Sequence, residues 1–416
     1  MIRSPWNSFG GALLGLWLIA SPATFGYTSC PLIYSDIVCG ILLLILGLVL
    51  RSWNSVLPAW GYAIIGLWLG FAPLLFWAPE AACYLNNTIV GMLCLVLFIR
   101  MPVIPGQLPD TGHSVPPGWT YNPSSWPQRL PIALLAFLGW MFSRYMAAYQ
   151  LGYIDTVWDP FFKDGTLHVI TSTISQQFPV PDAGLGAFAY SLEMISAFKG
   201  GERRWRTMPW MVVVFGILAV PLSLTSVLLI ILQPIVVGSW CTLCLATASC
   251  MLILIALSID EVAAVIQYLR SREKPFLKLL FKGGQCPGAT EDLRTPTLDQ
   301  PLLTLLRASR WGVTLPWNLA LTVLVGASLM FMPGVLSFEG AMGNIDHVFG
   351  ALIIVVAFVS MAEVTRQVRW VNILFAAVVA AGAFWDMQAL ALHLAAAVAA
   401  ALLSLRNGPI REKSLY

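Results

Sequence analysis

The chain contains 416 residues, of which 58% are hydrophobic and only 10% are charged, and its net charge is +3. Soluble globular proteins carry roughly 25% charged residues, so this composition excludes a water-soluble fold. No basic, aromatic-rich run lies on a soluble domain, and we therefore expect no nucleic-acid partner. The composition predicts an all-α, polytopic membrane protein whose main partner is the lipid membrane.

A helix that crosses a membrane needs about 20 largely apolar residues. Twelve stretches of the chain approach this length, and the shorter ones suit tight hairpins. They lie at residues 9–28, 35–50, 57–77, 85–99, 130–150, 183–198, 208–235, 240–263, 313–333, 346–362, 370–386 and 388–405. We therefore predict about 12 transmembrane helices.

The lysine and arginine residues predict the orientation of these helices, because basic residues collect on the cytoplasmic side of a membrane. With the N-terminus inside, Lys163 is the one basic residue of the 23 that falls outside, and Arg144 lies within a span. The reverse orientation would place nearly all of them outside. The sequence thus predicts a multi-pass protein of the plasma (inner) membrane with both termini in the cytoplasm.

Two long connections are predicted on the cytoplasmic side. Residues 101–129 are rich in Pro, Gly and Ser and predict an irregular linker. Residues 264–312 are basic and amphipathic, which indicates a surface helix bound to anionic lipid. A docking site for a cytoplasmic protein is the alternative. The basic residues of this segment include Arg270, Arg272, Lys274, Lys278 and Lys282.

The hairpins at the two ends of the chain repeat one sequence pattern. Gly15-Leu16-Trp17-Leu18 recurs as Gly66-Leu67-Trp68-Leu69, and later positions recur at the same offset. These later pairs are Pro22 with Pro73 and Gly40 with Gly91. A third copy starts at Pro316-Trp317-Asn318, and a fainter fourth starts near Trp370. The third copy continues through Gly326, Pro333, Asp346 and Gly350.

Each copy predicts a helical hairpin with small residues along one helix, which lets membrane helices approach closely. The pattern resembles the SPW repeat family, named for Ser4-Pro5-Trp6, over residues 1–100 and 313–405. Helix packing alone accounts for these residues, and nothing in them requires catalysis.

The last of the four central spans opens with Cys241-Thr242-Leu243-Cys244. At a helix N-terminus the macrodipole and the free N–H groups favour a thiolate, and two residues between the cysteines allow a reducible disulfide. The predicted topology places this pair at the oxidising outer edge. A metal pair is the alternative, but no second Cys or His pair follows at zinc spacing. We therefore favour redox chemistry and predict no metal.

The central spans, residues 130–263, also share other features with a known family. They form four helices with a CxxC opening the last, and the loop before the second helix carries Thr171-Ser172-Thr173-Ile174-Ser175. That loop runs on through Pro179 to Asp182, and the second helix carries Gly186 to Tyr190. In these respects the region resembles the vitamin K epoxide reductase family.

The resemblance implies a four-helix membrane enzyme that passes electrons from protein thiols to a quinone, either ubiquinone or menaquinone. It implies that Cys241 exchanges with a partner such as a thioredoxin-like thiol protein, and that Cys244 faces the quinone. Asp182 stands where the family commonly has an Asn near a quinone carbonyl. Ser172 and Tyr190 are expected to line the same quinone site.

Two features depart from the family pattern. Residues 151–182 contain no cysteine, whereas the family usually has a pair in this loop. Thr247 and Ala248 occupy the turn where an aromatic residue often follows the CxxC. The alternative function is therefore a non-enzymatic membrane scaffold or small-solute transporter that has lost the redox activity.

Four further residues are candidates for functional roles. Cys30 and Cys83 lie at matching outer ends of the first two repeats, and they are independent thiols, a structural disulfide or a disulfide that relays electrons to Cys241. Arg144 and Glu193 are charges within spans, which are costly and usually paired or functional. They form either a structural ion pair or, for Glu193 in particular, part of a proton route to the quinone.

The predicted organisation has five parts. These are the repeat hairpins at 1–100, the linker at 101–129, the four-helix bundle at 130–263, the basic segment at 264–312 and the C-terminal repeat with four further spans at 313–416.

Overall fold

The computed structural model describes residues 5–52, 56–101, 104, 110–270, 275–336, 340–386 and 389–412. Within these residues the fold is helical, and extended pairing is limited to two isolated bridges, Val115–Thr290 and Val313–Ala362. The helices in chain order are α1 (Pro5–Phe25), α2 (Cys30–Ser52), α3 (Leu57–Leu75), α4 (Ala81–Ile99), α5 (Trp126–Gln150), α6 (Gly165–Ile170), α7 (Asp182–Phe198), α8 (Arg204–Thr207), α9 (Pro209–Leu232), α10 (Thr242–Arg270), α11 (Phe276–Lys282), α12 (Leu302–Ala308), α13 (Trp317–Leu336), α14 (Ala341–Val359), α15 (Val371–Asp386) and α16 (Leu390–Leu405).

Each apolar stretch predicted from the sequence overlaps one of the twelve longer helices. Ten helices of the described chain are long and apolar enough to cross a membrane. The two shorter ones are α7, with 17 residues, and α16, with 16 residues. The long helices also carry apolar side chains that face outward, such as Ile217 and Leu228 of α9, because lipid replaces water around the molecule. The prediction of an all-α, polytopic membrane protein is confirmed.

Three of the hairpins cross at a pair of facing glycines. A Cβ atom on either glycine would come within 2.8 Å of the carbonyl oxygen of the other, so only glycine allows this backbone approach. The pairs are Gly15 with Gly40 between α1 and α2, Gly66 with Gly91 between α3 and α4, and Gly326 with Gly350 between α13 and α14. The third sequence copy therefore builds the same crossing as the first two.

The central bundle consists of α5, α7, α9 and α10, whose shared core includes Ala136, Tyr190, Phe215 and Leu254. Pro209 starts α9, where its missing N–H would have no partner in any case. The N-terminal repeats contact the bundle through α3 and α4 against α7, and the C-terminal repeats through α14 against α9 and α10. Both repeat units thus pack directly on the four central helices.

Buried basic side chains join the elements at the end of the bundle opposite the CxxC, which we call the basic end. Lys199 Nζ donates to the carbonyl oxygens of Phe98, Ile99 and Met101 at 2.7–2.9 Å, and so satisfies the end of α4. Arg129 donates to the carbonyl groups of Ala197 and Lys199 at the end of α7. These contacts fix the N-terminal repeats and α5 to the end of α7.

The segment before α5 is irregular, yet it is packed into the basic end. Ser124 donates to Glu261, which also binds Arg204 at 2.5 Å, and all three side chains are buried. Tyr121 donates to Asp260 at 2.6 Å. Most of residues 114–125 therefore form part of the protein core at this end.

The basic segment after α10 is only partly described. Arg272 and Lys274 lie outside the described residues, whereas Arg270 ends α10, and Lys278 and Lys282 belong to the short helix α11. The helix α10 thus extends seven residues further than the sequence predicts, to about 270. On α11, Phe276 and Leu277 are exposed and Leu279 is buried.

Candidate functional site

Cys241 and Cys244 form a disulfide at the first turn of α10, with their Cα atoms 5.2 Å apart. A π-helical turn at Gln233–Val237 and then Gly238, with a φ of 69°, lead the chain into this turn. The Cys241 N–H donates to Gln233 Oε1 at 3.0 Å. The Cys244 N–H points at Cys241 Sγ, also at 3.0 Å. The N–H group of Cys244, in the first turn of the helix, therefore faces the Cys241 sulfur and would stabilise a thiolate there.

The two sulfurs lie in different environments. Cys241 is 0% exposed and packs with Met146, Ile170 and Leu243. Cys244 is only partly buried and lines a cavity inside the central bundle. The disulfide thus separates a covered sulfur from one that faces an internal space.

The loop between α5 and α7 covers Cys241. Asp159 accepts hydrogen bonds from the hydroxyl and N–H groups of Thr166 and Thr242, so it ties the loop to the start of α10. The helix α6 begins at Gly165, where any Cβ would overlap the carbonyl oxygen of Trp240. We call residues 157–170 the covering loop.

The pKa of the Asp159 carboxyl lies well below its ordinary value. Burial raises this pKa, but hydrogen bonds from Thr166, Thr242 and the N–H groups of Phe162 and Phe161 lower it by more, because they stabilise the carboxylate. Asp159 is therefore a charged anchor at neutral pH.

The cavity beside Cys244 lies between α5, α7, α9 and α10 and the loop that precedes α7. Its volume is about 120 Å³. Met146, Ile170 and Ile230 supply apolar walls. The polar groups that line it include those of Ser143, Ser172, Ser175, Asp182, Tyr190 and Gln233.

The three residues expected at a quinone site all line this cavity. Asp182 Oδ1 accepts hydrogen bonds from Gln150 and Ser175 at 2.5 and 2.9 Å. The Tyr190 hydroxyl donates to the carbonyl of Thr247 at 2.8 Å, and Ser172 donates to the carbonyl of Val169. The structure therefore brings Ser172, Asp182 and Tyr190 to the same space as Cys244.

The expected ion pair between Arg144 and Glu193 is wrong. The Arg144 guanidinium stacks on Tyr84 and Trp140, 4.8 and 4.9 Å from their ring centroids. Glu193 is fully buried, and neither of its carboxyl oxygens has a hydrogen-bond partner among the described residues. Arg144 therefore contacts aromatic rings of α4 and α5 and makes no ion pair with Glu193.

The structure does not contain the Cys30–Cys83 disulfide that the sequence allowed. Both cysteines are free, Cys30 at the exposed start of α2 and Cys83 fully buried in α4. Cys83 lies beside Asn87, whose side-chain amide is 3.8 Å from the sulfur. Cys30 and Cys83 are therefore two independent thiols, which is one of the alternatives that the sequence left open.

Asp159 and Gln233 are site residues that the sequence analysis missed. An Asp followed by N–H groups it can bind is a common turn pattern, and the Asp159-Pro160-Phe161-Phe162 run carried that indication. Gln233 lies in a π-helical turn, a structure that often occurs near functional sites, but no sequence pattern predicts such a turn.

The C-terminal repeat unit also contributes to the surroundings of the disulfide. The Trp240 ring, directly before Cys241, lies 4.7 Å from the ring of Phe331 and 5.7 Å from that of His347. Ala248 and Cys244 pack in one apolar cluster with Met330 and Ala351. The small Ala248 side chain leaves the space that α13 and α14 fill.

Residues 130–259 match the vitamin K epoxide reductase family. The match confirms the resemblance drawn from the CxxC and the four helices, and this family consists of membrane thiol oxidoreductases. Residues 5–99 match the SPW repeat domain, which confirms the second resemblance for the N-terminal repeats. No curated protein and no solved structure gives a significant match.

Proposed function

We propose that the protein is a thiol–disulfide oxidoreductase that passes electrons from a protein thiol to a membrane quinone, ubiquinone or menaquinone. The observation that carries the proposal is the position of the Cys241–Cys244 disulfide. One sulfur lies beneath a loop at the end of the bundle, and the other lines a cavity within the bundle. Such an arrangement suits a disulfide that exchanges with one molecule and delivers electrons to another.

The residues of the cavity fit a quinone. A quinone oxygen needs a donor, so the hydroxyls of Ser172 and Tyr190 would turn to it from the carbonyls that they now bind, and Asp182 would donate to it only when protonated. Met146 and Ile230 would pack on the faces of the ring. When bound, a quinone accepts two electrons and two protons. Cys244 is the sulfur placed to deliver the electrons, because it alone of the two cysteines lines this space.

In the exchange step, a partner thiolate attacks the Cys241 sulfur and forms a mixed disulfide, and Cys244 leaves as a thiolate. A second thiol of the partner then attacks the mixed disulfide, which releases the oxidised partner and leaves Cys241 and Cys244 reduced. Reoxidation of this dithiol gives up two electrons and two protons. Cys30 and Cys83 are unpaired, so we favour direct attack by a soluble, thioredoxin-like protein.

Glu193 is the side chain best placed to hold a proton for this reaction. It lies three residues after Tyr190 on α7, hence on nearly the same helix face. An unpaired carboxyl in a membrane bundle is far less costly when it is protonated. We propose that Glu193 carries a proton that can pass toward the cavity, which is the proton route considered for it from the sequence.

We further propose that the CxxC end faces the compartment outside the plasma membrane and that the basic end and both termini face the cytoplasm. The distribution of Lys and Arg supports this orientation. It places the disulfide in an oxidising compartment, where a thiol–disulfide carrier is of use.

The decisive experiment measures quinone reduction by the purified protein with a dithiol donor. We expect the wild type to reduce quinone and Cys241→Ser, Cys244→Ser and the double variant to lose the activity while remaining folded. Cys94→Ser, which changes a buried free cysteine of α4 outside the cavity lining, is the matched control. Wild-type activity in the double variant would overturn the assignment of the activity to this cysteine pair. No activity in the wild type would support the scaffold or small-solute transporter instead.

A further inference from the structure

A second buried polar pair lies in the C-terminal repeat unit. Asp346 on α14 and His393 on α16 are both 0% exposed, and Asp346 Oδ2 lies 2.7 Å from His393 Nε2. Each residue is near the start of its helix, at positions that follow a short connection from the preceding helix. Ionisable side chains inside a membrane bundle are costly and generally serve a function.

The N-terminal repeat unit contains the corresponding pair in a form that cannot titrate in the same way. Asp36 on α2, the sequence equivalent of Asp346, accepts a hydrogen bond of 2.9 Å from the Asn87 amide on α4. In both units an acid on the second helix thus binds a polar side chain on the fourth helix. The C-terminal unit differs because its partner is a histidine, which can gain and lose a proton.

The hydrogen bonds of His393 determine where its protons lie. Nδ1 is 3.2 Å from the carbonyl oxygen of Ala389, and a carbonyl only accepts, so Nδ1 carries a hydrogen. The contact between Nε2 and Asp346 Oδ2 then needs one more proton, placed on either atom. With that proton the pair is neutral overall. Without it, a buried carboxylate would face an imidazole lone pair.

Few other ionisable groups surround this pair. His347, the neighbour of Asp346 on α14, turns to the carbonyl of Met330 and the Trp240 ring. The helices α9, α13 and α16 carry no other ionisable residue, and α15 carries one acid at its end, Asp386, whose side chain lies outside the described part. The described residues contain no group of three His, Cys, Asp or Glu side chains that could hold a metal. The chemistry of the pair suits a proton.

We propose that Asp346 and His393 form a proton-binding site of the C-terminal repeat unit, distinct from the disulfide site. The pair holds one proton between the carboxyl and the imidazole while α14 and α16 are packed together. When the adjoining ends of these helices separate, that proton passes to water and the carboxylate and neutral imidazole become hydrated. No other bond forms or breaks, and the site does not depend on the proposed redox function.

The test follows His393 directly in the full chain, reconstituted in lipid and labelled with ¹⁵N in its histidines. The protein has four histidines, so His393→Asn identifies the signals of His393 by their loss. We expect the Nε2 signal of His393 to show the proton that it shares with Asp346. In Asp346→Asn this signal should move to that of a ring nitrogen without a carboxyl partner, because the shared proton is gone.

Asp36→Asn in the N-terminal unit is the matched control and should leave the His393 signals unchanged. Equal Nε2 signals of His393 in the wild type and in Asp346→Asn would overturn the proposal. If Asp346→Asn does not fold, the wild type alone decides. A wild-type His393 Nε2 signal without a shared proton would then overturn it.

Discussion

Asp159 binds Thr242, the residue directly after Cys241, through both the hydroxyl and the backbone N–H of the threonine. This contact joins the covering loop to the first turn of α10. Since Cys241 is fully buried, the loop controls whether another molecule can reach its sulfur. The Asp159–Thr242 contact is therefore the point at which access to the disulfide can be tested.

We expect Asp159→Ala to make Cys241 accessible. In the reduced protein, Cys241 should react several-fold faster with a maleimide, because the loop has lost its anchor on α10. Asp155→Ala changes an exposed acid just before the covering loop and should leave the rate unchanged. Mass spectrometry of the labelled cysteine gives the rate, and equal rates in all three proteins would show that Asp159 does not hold the loop closed.

The pH dependence of this anchor follows from the lowered pKa of Asp159. A carboxyl with a lowered folded-state pKa contributes stability above its ordinary pKa and loses it as pH falls through the folded-state value. Closure of the loop should therefore be constant from neutral pH down to about pH 4, the ordinary carboxyl pKa. Hydrogen exchange of the Thr166 and Thr242 amides at different pH values measures this, and opening near pH 6 would contradict it.

Two ion pairs at the basic end allow a matched comparison of burial. Arg204 and Glu261 are 2.5 Å apart with almost no exposure, whereas Arg203 and Asp110 are 3.6 Å apart and partly exposed. Glu261→Gln should lower the free energy of unfolding by about 3–5 kcal/mol, because it leaves Arg204 buried without its counter-charge. Asp110→Asn should cost about 0–1 kcal/mol. Similar losses in chemical unfolding of the two variants would refute the distinction.

The glycine crossing of the C-terminal repeat predicts a strong steric effect. A Cβ at Gly350 would lie 2.6 Å from the Gly326 carbonyl oxygen, whereas one at Gly334 meets nothing within 4 Å. Gly350→Ala should therefore force α13 and α14 apart and lower the melting temperature of the purified protein. Gly334→Ala should be neutral or slightly stabilising, because Ala is the better helix former. The prediction fails if both variants melt alike.

The proposed orientation can be tested with single cysteines in intact cells. Cysteines at Trp158 and Lys163, in the covering loop, should react with an impermeant maleimide, and a cysteine at the exposed Lys278 on α11 should react only after lysis. The reason is the excess of basic residues on the opposite side of the protein. Labelling at 278 together with protection at 163 would reverse the orientation.

The sequence predicted those features that depend on local composition. The length of the apolar stretches predicted the positions of the twelve long helices, and the spacing of Cys241 and Cys244 predicted a pair of cysteines able to form a disulfide. It could not predict that Arg144 turns toward Tyr84 and away from Glu193, because the rotation of each helix is set by packing with distant segments. Nor could it predict the packing of residues 114–125, since the bond from Ser124 to Glu261 joins residues 137 apart. A Pro- and Gly-rich composition indicates irregular backbone and carries no information on burial.

The complete burial of Cys241 has a kinetic consequence. A partner can attack its sulfur only during the fraction of time in which the covering loop is open, so encounter is a two-step process. At low partner concentration the rate of reduction rises in proportion to that concentration. At high concentration it reaches a ceiling set by the opening rate of the loop. Partners with very different thiol reactivity would then share one maximal rate, and selection among them would occur through the population of open protein.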